Sequence, residues 1–248
     1  MEAQRRIRVA VVFGGRSTEH AVSCVGAGHI LAAIDPERYE VVPIGITRDG
    51  RWVLTDGDPE RLAITGGELP SVEAVAMPGT EVTARLAQGE AGLVVTGAGA
   101  VPRSLGEVDV VLPILHGAYG EDGTLQGLLE MTGTSYAGAG VLASAAGLDK
   151  EYMKLISAAR GLPVGPYLVV RERDWAPRAT VGGLPAATER KRVLDEAAEL
   201  GWPVFVKPAR SGSSMGISRA ADRPWRFWAD GAPSVSAYKP HRGRRPAD

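Results

Sequence analysis

Short hydrophobic runs alternate along the chain with stretches in which apolar residues recur every three or four positions. The runs are rich in Val and Ile, which is typical of strands that are buried on both faces of a sheet. The amphipathic stretches between the runs predict helices. This alternation predicts an α/β fold with a mainly parallel sheet. Strands are predicted over 7–13, 39–46, 51–54, 93–95, 108–115, 165–170 and 202–208.

Capping residues and helix breakers set the ends of the predicted helices. Ser17 or Thr18 is a candidate cap for the first helix, which Asp35-Pro36 ends. The region 55–106 has a weaker pattern with many Gly, Pro, Ala and Thr residues, and it is predicted to form variable loops that decorate the sheet. Further helices are predicted to end at Ala146, to run from Asp149-Lys150 to Gly161, and to span 187–200.

Composition narrows the class of protein. The 248-residue chain is 44% hydrophobic and 23% charged, which is ordinary for a globular protein and enough for one large domain or two small ones. A net charge of −1 gives no reason to expect a nucleic acid or a membrane as partner. The single cysteine, Cys24, favours a reducing cytoplasm. No signal peptide or membrane-spanning run is visible, so a soluble cytoplasmic protein is expected.

The stretch 116–127 carries the densest candidate chemistry in the chain. It places His116, several glycines and the adjacent acids Glu121 and Asp122 directly after the strand that ends at Leu115. In α/β enzymes, ligands bind where buried strands end and helices begin. Two interpretations remain open: a catalytic or substrate site, or a strand-to-helix loop in which an acid caps the helix.

Glu19 follows the first strand through the turn Gly14-Gly15-Arg-Ser-Thr. It is predicted to lie in the first turn of the first helix, where a negative charge is favourable. Glu19 therefore either binds a ligand at the strand end or only interacts with the helix dipole. His20 and Ser23 are weaker candidates, because such residues near a cap are usually structural. The turn lacks a Gly-x-Gly-x-x-Gly fingerprint, which disfavours a dinucleotide-binding oxidoreductase.

Two lysines indicate a possible anion site. Lys150 lies at a predicted helix start, where a cation opposes the helix dipole; an anionic partner such as phosphate would explain it, and an exposed surface lysine is the alternative. Lys207 ends a predicted strand, and the loop 209–216 after it offers hydroxyls and backbone N–H groups. Lys207 and this loop favour phosphate binding over a flexible glycine-serine hairpin. The spacing is not that of a P-loop.

Four motifs occur together in this chain, and in combination they resemble the D-alanine:D-alanine ligases of the ATP-grasp superfamily. The resemblance covers about residues 6–219, and the motifs follow the order of the family. The probability that all four motifs occur by chance in an unrelated fold is very low. The motifs are Gly14 to Ser23, His116 to Gly127, Leu148-Asp-Lys150, and Val206-Lys-Pro-Ala-Arg-Ser-Gly-Ser-Ser-Met-Gly216.

The resemblance implies that ATP phosphorylates the carboxylate of one D-alanine and that the amine of a second D-alanine attacks the acyl phosphate. It implies that Glu19 holds the ammonium of the first D-alanine, supported by a hydrogen bond from Ser213. His116 would lie beside the reacting carboxylate, and Glu121 would orient the loop that carries His116. The product would be the dipeptide end of peptidoglycan precursors.

The resemblance also implies the ATP contacts. Lys150 and Lys207 would bind the phosphates of ATP, while Ser213, Ser214 and neighbouring N–H groups close over the γ-phosphate. The family uses Mg²⁺ or Mn²⁺, and its metal ligands lie beyond the matching segment, so no metal ligand is assigned in this chain. Phosphoryl transfer depends on charge neutralisation by the metal, and the chain as written is therefore predicted to be inactive.

Three segments are expected from this resemblance. They are an amino-terminal D-alanine-binding α/β domain over 1–147, an incomplete ATP-grasp central domain over 148–219, and a disordered tail over 220–248 that matches neither the family nor a folded segment. A frame change in a GC-rich gene is one hypothesis for the tail, which is rich in arginine, proline and alanine. A genuine disordered basic tail is the alternative.

Two alternative functions share the motifs. One is a D-alanine:D-lactate ligase of the same family, because the residues that select an amine or a hydroxyl acceptor lie outside the matching segment. The other is a non-catalytic remnant that only dimerises or binds D-alanine. The resemblance implies a homodimer for the ligase itself.

Overall fold

The computed structural model describes residues 5–85, 92–96, 103–104, 108–171, 186–221 and 234–238. The chain divides into two compact units, Met1–Ala145 and Ala146–Asp248. Each unit combines helices with one sheet, so the predicted α/β class is confirmed. Where a predicted strand is present, its ends differ from the prediction by two residues at most.

In its described part, the sheet of the first unit is parallel at one end and antiparallel over the rest, so it is mixed and not mainly parallel as expected. Strand β1, next to the end strand β7, pairs in parallel with β2 and with β7, so the carboxyl ends of these three strands lie at the same edge. The strands are β1 (Ile7–Gly14), β2 (Tyr39–Ile46), β3 (Trp52–Thr55), β4 (Ala76–Arg85), β5 (Gly92–Thr96), β6 (Arg103–Ser104) and β7 (Val110–Pro113). They lie in the order β6-β5-β4-β3-β2-β1-β7.

The prediction that 55–106 forms variable loops around a single strand over 93–95 is wrong for β4 and β6. Strands β4, β5 and β6 in this region continue the sheet through antiparallel pairs, and the predicted strand 93–95 lies inside β5. In β4, exposed Glu81 and Thr83 alternate with buried Val82, but Gly, Pro and Thr residues keep this pattern short. Backbone pairing with β3 and β5 stabilises a strand that the side chains only weakly indicate.

Both faces of β1 are buried, which explains its nearly continuous apolar sequence. Val11 and Phe13 pack in one core cluster with Cys24 of α1, whereas Ala10 and Val12 pack in another with residues of α3. The described helices are α1 (His20–Ala33), α2 (Val72–Val75), α3 (Thr124–Met131), α4 (Val141–Leu148), α5 (Lys150–Ala159) and α6 (Ala186–Glu199), together with a short 3-10 helix over Glu60–Leu62. In this described part, no helix combines the length and apolar composition needed to cross a membrane.

The second unit has a four-stranded sheet in the order β10-β9-β11-β8. One face of this sheet packs against α6: Val170 and Val206 form a core cluster with Val193 and Ala197. Val170 lies on β8 and Val206 on β9, which gives this face its apolar core. The strands are β8 (Tyr167–Arg171), β9 (Val204–Pro208), β10 (Ser218–Ala220) and β11 (Ser234–Tyr238).

Strand β11 lies within the segment 220–248 that was expected to be disordered. It is paired on both sides, with β8 and with β9, so the expectation is not met at these five residues. Two-sided pairing satisfies the backbone N–H and C=O groups of β11. The alternating sequence Ser-Val-Ser-Ala-Tyr was the signal for this strand. Ala220 ends β10, and the rest of the segment, apart from Ala221, lies outside the described residues.

Candidate active site

The turn after β1 depends on two glycines. Gly14 and Gly15 have φ angles of +88° and +94°, which residues with a side chain rarely adopt. The N–H of Gly15 donates to the carbonyl oxygen of Ile46 at 2.7 Å, so the turn is tied to the end of β2. The chain then reaches Glu19 at the start of α1.

Glu19 precedes α1 instead of lying in its first turn, which corrects the prediction. It occupies the N-cap position, and its side chain makes no capping hydrogen bond. The Ser17 hydroxyl accepts from the Glu19 N–H at 3.1 Å, so Ser17 shapes the turn before the helix. At the N-cap position the charge of Glu19 is still favourable for the helix dipole, and its role as a ligand-binding group stays a prediction.

The Glu19 carboxylate lies against the loop that follows His116. Glu19 is only 7% exposed. A Cβ built on Gly117 would lie 3.0 Å from Glu19 Oε2 and 3.3 Å from Ser17 Cβ, so a larger residue at this position would press on the carboxylate. The structure therefore brings Glu19 and the backbone next to half-buried His116 together at the carboxyl ends of the parallel strands.

Two acids hold the loop 116–127 in shape. The Gly117 N–H donates to Glu121 Oε2 at 2.7 Å, which is a contact expected of a residue that orients this loop. Asp122 accepts from the N–H groups of Tyr119, at 2.9 Å, and Thr124, at 3.0 Å. The roles assigned to His116 and Glu121 stay predictions, and these contacts show how their backbone is fixed.

His20 and Ser23 connect the elements around the turn. His20 is fully buried; its Nδ1 lies 2.7 Å from the Gly15 carbonyl oxygen, and its Nε2 accepts from the Val72 N–H at 3.1 Å. The Ser23 hydroxyl donates to the Ile114 carbonyl oxygen at 2.6 Å and accepts from the Gly14 N–H at 2.7 Å. These contacts favour the structural interpretation of both residues.

Replacing Ser23 with alanine is expected to lower the free energy of unfolding by about 2 kcal/mol, because it leaves a buried N–H and a carbonyl without the hydroxyl. Urea denaturation measures the loss. Ser144→Ala is the control, since its hydroxyl makes only an exposed bond to Ala139 at 3.2 Å. Equal losses in the two variants would show that Ser23 does not tie the turn to β7.

A cavity of about 340 Å³ opens beside His116. It is lined mainly by apolar side chains from β2, β3, α3 and the loop 116–127, and Glu19 is not among its lining residues. Arg16 and Tyr119 also line it, with the Arg16 guanidinium carbon 5.2 Å from the centroid of the Tyr119 ring. This cavity could not be predicted from the sequence, because its walls come from segments that are far apart in the chain.

In the second unit, the start of α5 is tied to the loop that follows β9. Asp149 caps α5 by accepting from the N–H groups of Glu151 and Tyr152, and Arg210 pairs with its other oxygen at 2.7 Å. The Lys150 N–H donates to the Ala209 carbonyl oxygen at 3.0 Å. The motifs Leu148-Asp-Lys150 and 206–216 are therefore brought together.

Lys150 is held by a hydrogen bond and is affected by the charge of Lys207. The Lys150 ammonium donates to the Ser211 carbonyl oxygen at 2.6 Å. Burial lowers the pKa of Lys150, and the positive charge of Lys207 lowers it further, while Asp149 acts in the opposite direction. A third lysine, Lys154, was not among the predicted site residues, and its only signal in the sequence is its spacing of one helical turn from Lys150.

The loop 209–216 contains two residues in an uncommon backbone conformation. Ser213 and Ser214 have φ angles of +42° and +60°, and both are exposed. Such angles are rare for residues other than glycine and often occur at ligand sites. The Met215 N–H donates to the Gly212 carbonyl oxygen at 3.0 Å, which gives the loop a defined turn.

Glu19 and Ser213 belong to different units, and the hydrogen bond expected between them stays a prediction. The described residues contain no group of three or more His, Cys, Asp or Glu side chains that could hold a metal ion. These residues therefore do not fit the Mg²⁺ or Mn²⁺ of the family, and no metal-dependent step is derived from them.

Two family models match this chain. The model described as the D-ala D-ala ligase N-terminus matches residues 8–139, and the one described as the D-ala D-ala ligase C-terminus matches residues 156–224. A solved structure of the D-alanine-D-alanine ligase from Coxiella burnetii is 27% identical, with a TM-score of 0.71. The similarity covers 97% of this chain and 63% of that one.

Curated relatives are more similar in sequence. The D-alanine--D-alanine ligase of Streptomyces griseus is 56% identical over 217 residues, which are 87% of this chain and 54% of the relative. That of Mycobacterium sp. strain KMS is 53% identical over 238 residues, which are 96% of this chain and 58% of the relative. The chain thus spans a little over half the length of these relatives. The second match covers more of the chain than the expected residues 6–219, whereas the first covers about that length.

Proposed function

Because the chain belongs to the D-alanine–D-alanine ligase family, we propose that the protein carrying it is an ATP-dependent ligase that joins two D-alanines for peptidoglycan precursors. ATP phosphorylates the carboxylate of the first D-alanine. The amine of the second D-alanine then attacks the acyl phosphate carbon, the peptide bond forms, and inorganic phosphate leaves. The proposal includes a cytoplasmic location, where ATP is available, and a homodimer, both resting on the family resemblance.

The observation that carries this proposal is the buried Glu19 carboxylate against Gly117, next to His116. A carboxylate in such a position is suited to the ammonium group of an amino acid, because a charge-assisted hydrogen bond is strong where water is largely excluded. His116 then lies one residue from the contact, where it can donate to the carboxylate of the same D-alanine. These two groups would orient the two ends of the first substrate.

The surroundings of Lys150 support the ATP part of the proposal. Burial and the positive charge of Lys207 lower the pKa of Lys150, and an anion bound beside both lysines would offset that repulsion. Transfer of a phosphoryl group needs mainly positioning and charge neutralisation. Ser213 and Ser214, in the adjoining loop, add hydroxyl and backbone N–H groups that can close over the terminal phosphate.

Calorimetric titration with D-alanine tests the substrate half of the proposal. Saturable binding is expected for D-alanine, and none is expected for L-alanine at the same concentrations. If the ammonium and carboxylate groups are held in place, inversion at Cα exchanges the methyl group with the hydrogen atom. Equal behaviour of the two enantiomers would contradict the proposal. In the ligase carrying this sequence, mass spectrometry of the product distinguishes D-alanyl-D-alanine from D-alanyl-D-lactate.

A further inference from the structure

The sheet of the second unit has two chemically different faces. Opposite Ser236 of β11 lie Val169 of β8 on one side and Lys207 of β9 on the other, so β8 and β9 are aligned across β11. Side chains alternate between the faces along each strand. Tyr167, two residues before Val169, therefore shares a face with Lys207.

The face that carries Tyr167 and Lys207 is not the one that packs against α6. Val170 and Val206, which contact that helix, occupy the alternate positions and are buried. Tyr167 and Lys207 are only partly buried. This second face is therefore accessible and carries both a cation and an aromatic ring.

Lys154 of α5 lies over the second face. Its ammonium nitrogen is 4.9 Å from the centroid of the Tyr167 ring, a distance at which a cation is attracted to the ring. Burial lowers the pKa of Lys154, and the charge of Lys207 lowers it further, as is also the case for Lys150. Lys207 is thus close enough to repel the ammonium groups of both Lys150 and Lys154.

The acids at the start of α5 are engaged in other contacts. Asp149 caps the helix and pairs with Arg210, whereas Glu151 accepts from Arg171 at 2.9 and 3.0 Å. An anion bound at the second face would therefore be attracted by the positive charges there without displacing these contacts. Several negative charges in a row, as in a polyphosphate chain, match three positive groups better than a single carboxylate does.

We propose that Lys154 is a third phosphate-binding cation of this site, beside Lys150 and Lys207, and that the Tyr167 ring holds its ammonium group in position. The ligand is the polyphosphate of a nucleoside triphosphate, and in this respect the inference rests on the proposed function. Lys154 binds the ligand directly, whereas Tyr167 is a positioning residue.

Calorimetric titration of ATP and of inorganic tripolyphosphate into the chain tests the role of Lys154. Lys154→Gln is expected to lower the affinity for both ligands about tenfold, because one charge-assisted contact is lost. It is expected to leave the affinity for adenosine unchanged. Lys191→Gln is the matched control, because Lys191 lies on α6, is exposed and pairs with Asp195. This control is expected to bind ATP like the unsubstituted chain.

Two substitutions at Tyr167 separate positioning from general stability. Tyr167→Phe keeps the ring beneath the ammonium and is expected to bind tripolyphosphate normally. Tyr167→Leu removes the ring and is expected to weaken binding about threefold. The thermal midpoint of each variant without ligand shows whether folding has changed.

The outcomes distinguish this inference from the proposed function. Loss of binding in Lys207→Gln but not in Lys154→Gln would overturn the inference and leave the proposed ATP site standing. Failure of the unsubstituted chain to bind both ATP and tripolyphosphate would overturn both. Equal weakening in Tyr167→Phe and Tyr167→Leu would overturn the positioning role of the ring.

Discussion

Gly14→Ala is expected to lower the free energy of unfolding of the first unit by about 4 kcal/mol, the sum of overpacking and backbone strain. A Cβ at Gly14 would overlap the Ile46 carbonyl oxygen and the Val72 side chain, and it would lie 3.2 Å from His20 Cε1. The φ angle of +88° adds strain for any residue with a side chain. Urea denaturation, followed by circular dichroism, measures the loss.

Gly66→Ala is the matched control for this effect. Gly66 also has a positive φ angle, +62°, but a Cβ there would meet no atom within 4 Å. Its substitution is expected to cost about 1 kcal/mol, from backbone strain alone. If the two variants lose the same free energy, close packing at Gly14 is not what fixes the turn before Glu19.

Glu19→Gln is expected to weaken D-alanine binding about 100-fold, because the amide has the shape of the carboxylate but no charge to pair with the ammonium. Calorimetric titration measures this effect. Glu37→Gln removes the same charge from an exposed position in the loop after α1 and is expected to leave the affinity unchanged.

A measurement of folding must accompany the Glu19 variant. Glu19 is buried, so a general loss of structure would also reduce binding. If the variant has a midpoint of thermal unfolding close to that of the unsubstituted chain and also an unchanged affinity for D-alanine, the role of Glu19 is refuted. Unchanged unfolding with weaker binding would support it.

Strand β1 could be predicted because both of its faces are buried. In β1, Ala10 and Val12 face one core cluster while Val11 and Phe13 face the other. Burial on both faces requires apolar residues at successive positions, and this continuous apolar run is visible in the sequence. The strands β4 and β11 could not be predicted in this way. Their formation depends on pairing with distant strands, which short alternating patterns only weakly specify.

The candidate site was partly predictable for the same reason. Glu19 and His116 each follow a strand of the parallel sheet, and strand ends at one edge bring such residues together. Lys154 gave no comparable signal, because a lysine on a helix surface is common. Its significance depends on Tyr167, which lies on a strand after the helix and is brought beneath the lysine only by the fold.

The burial of Cys24 has a practical consequence. Burial raises the pKa of the Cys24 thiol to about 12, and Glu73 adds to the effect. At neutral pH only about one thiol in 10⁵ would then be the reactive thiolate. Since Cys24 is the single cysteine of the chain, alkylation would occur only in molecules whose first unit has opened. The native protein thus contains its own chemical reporter of local unfolding, and the alkylation rate would follow the opening of the core around α1 without an added label.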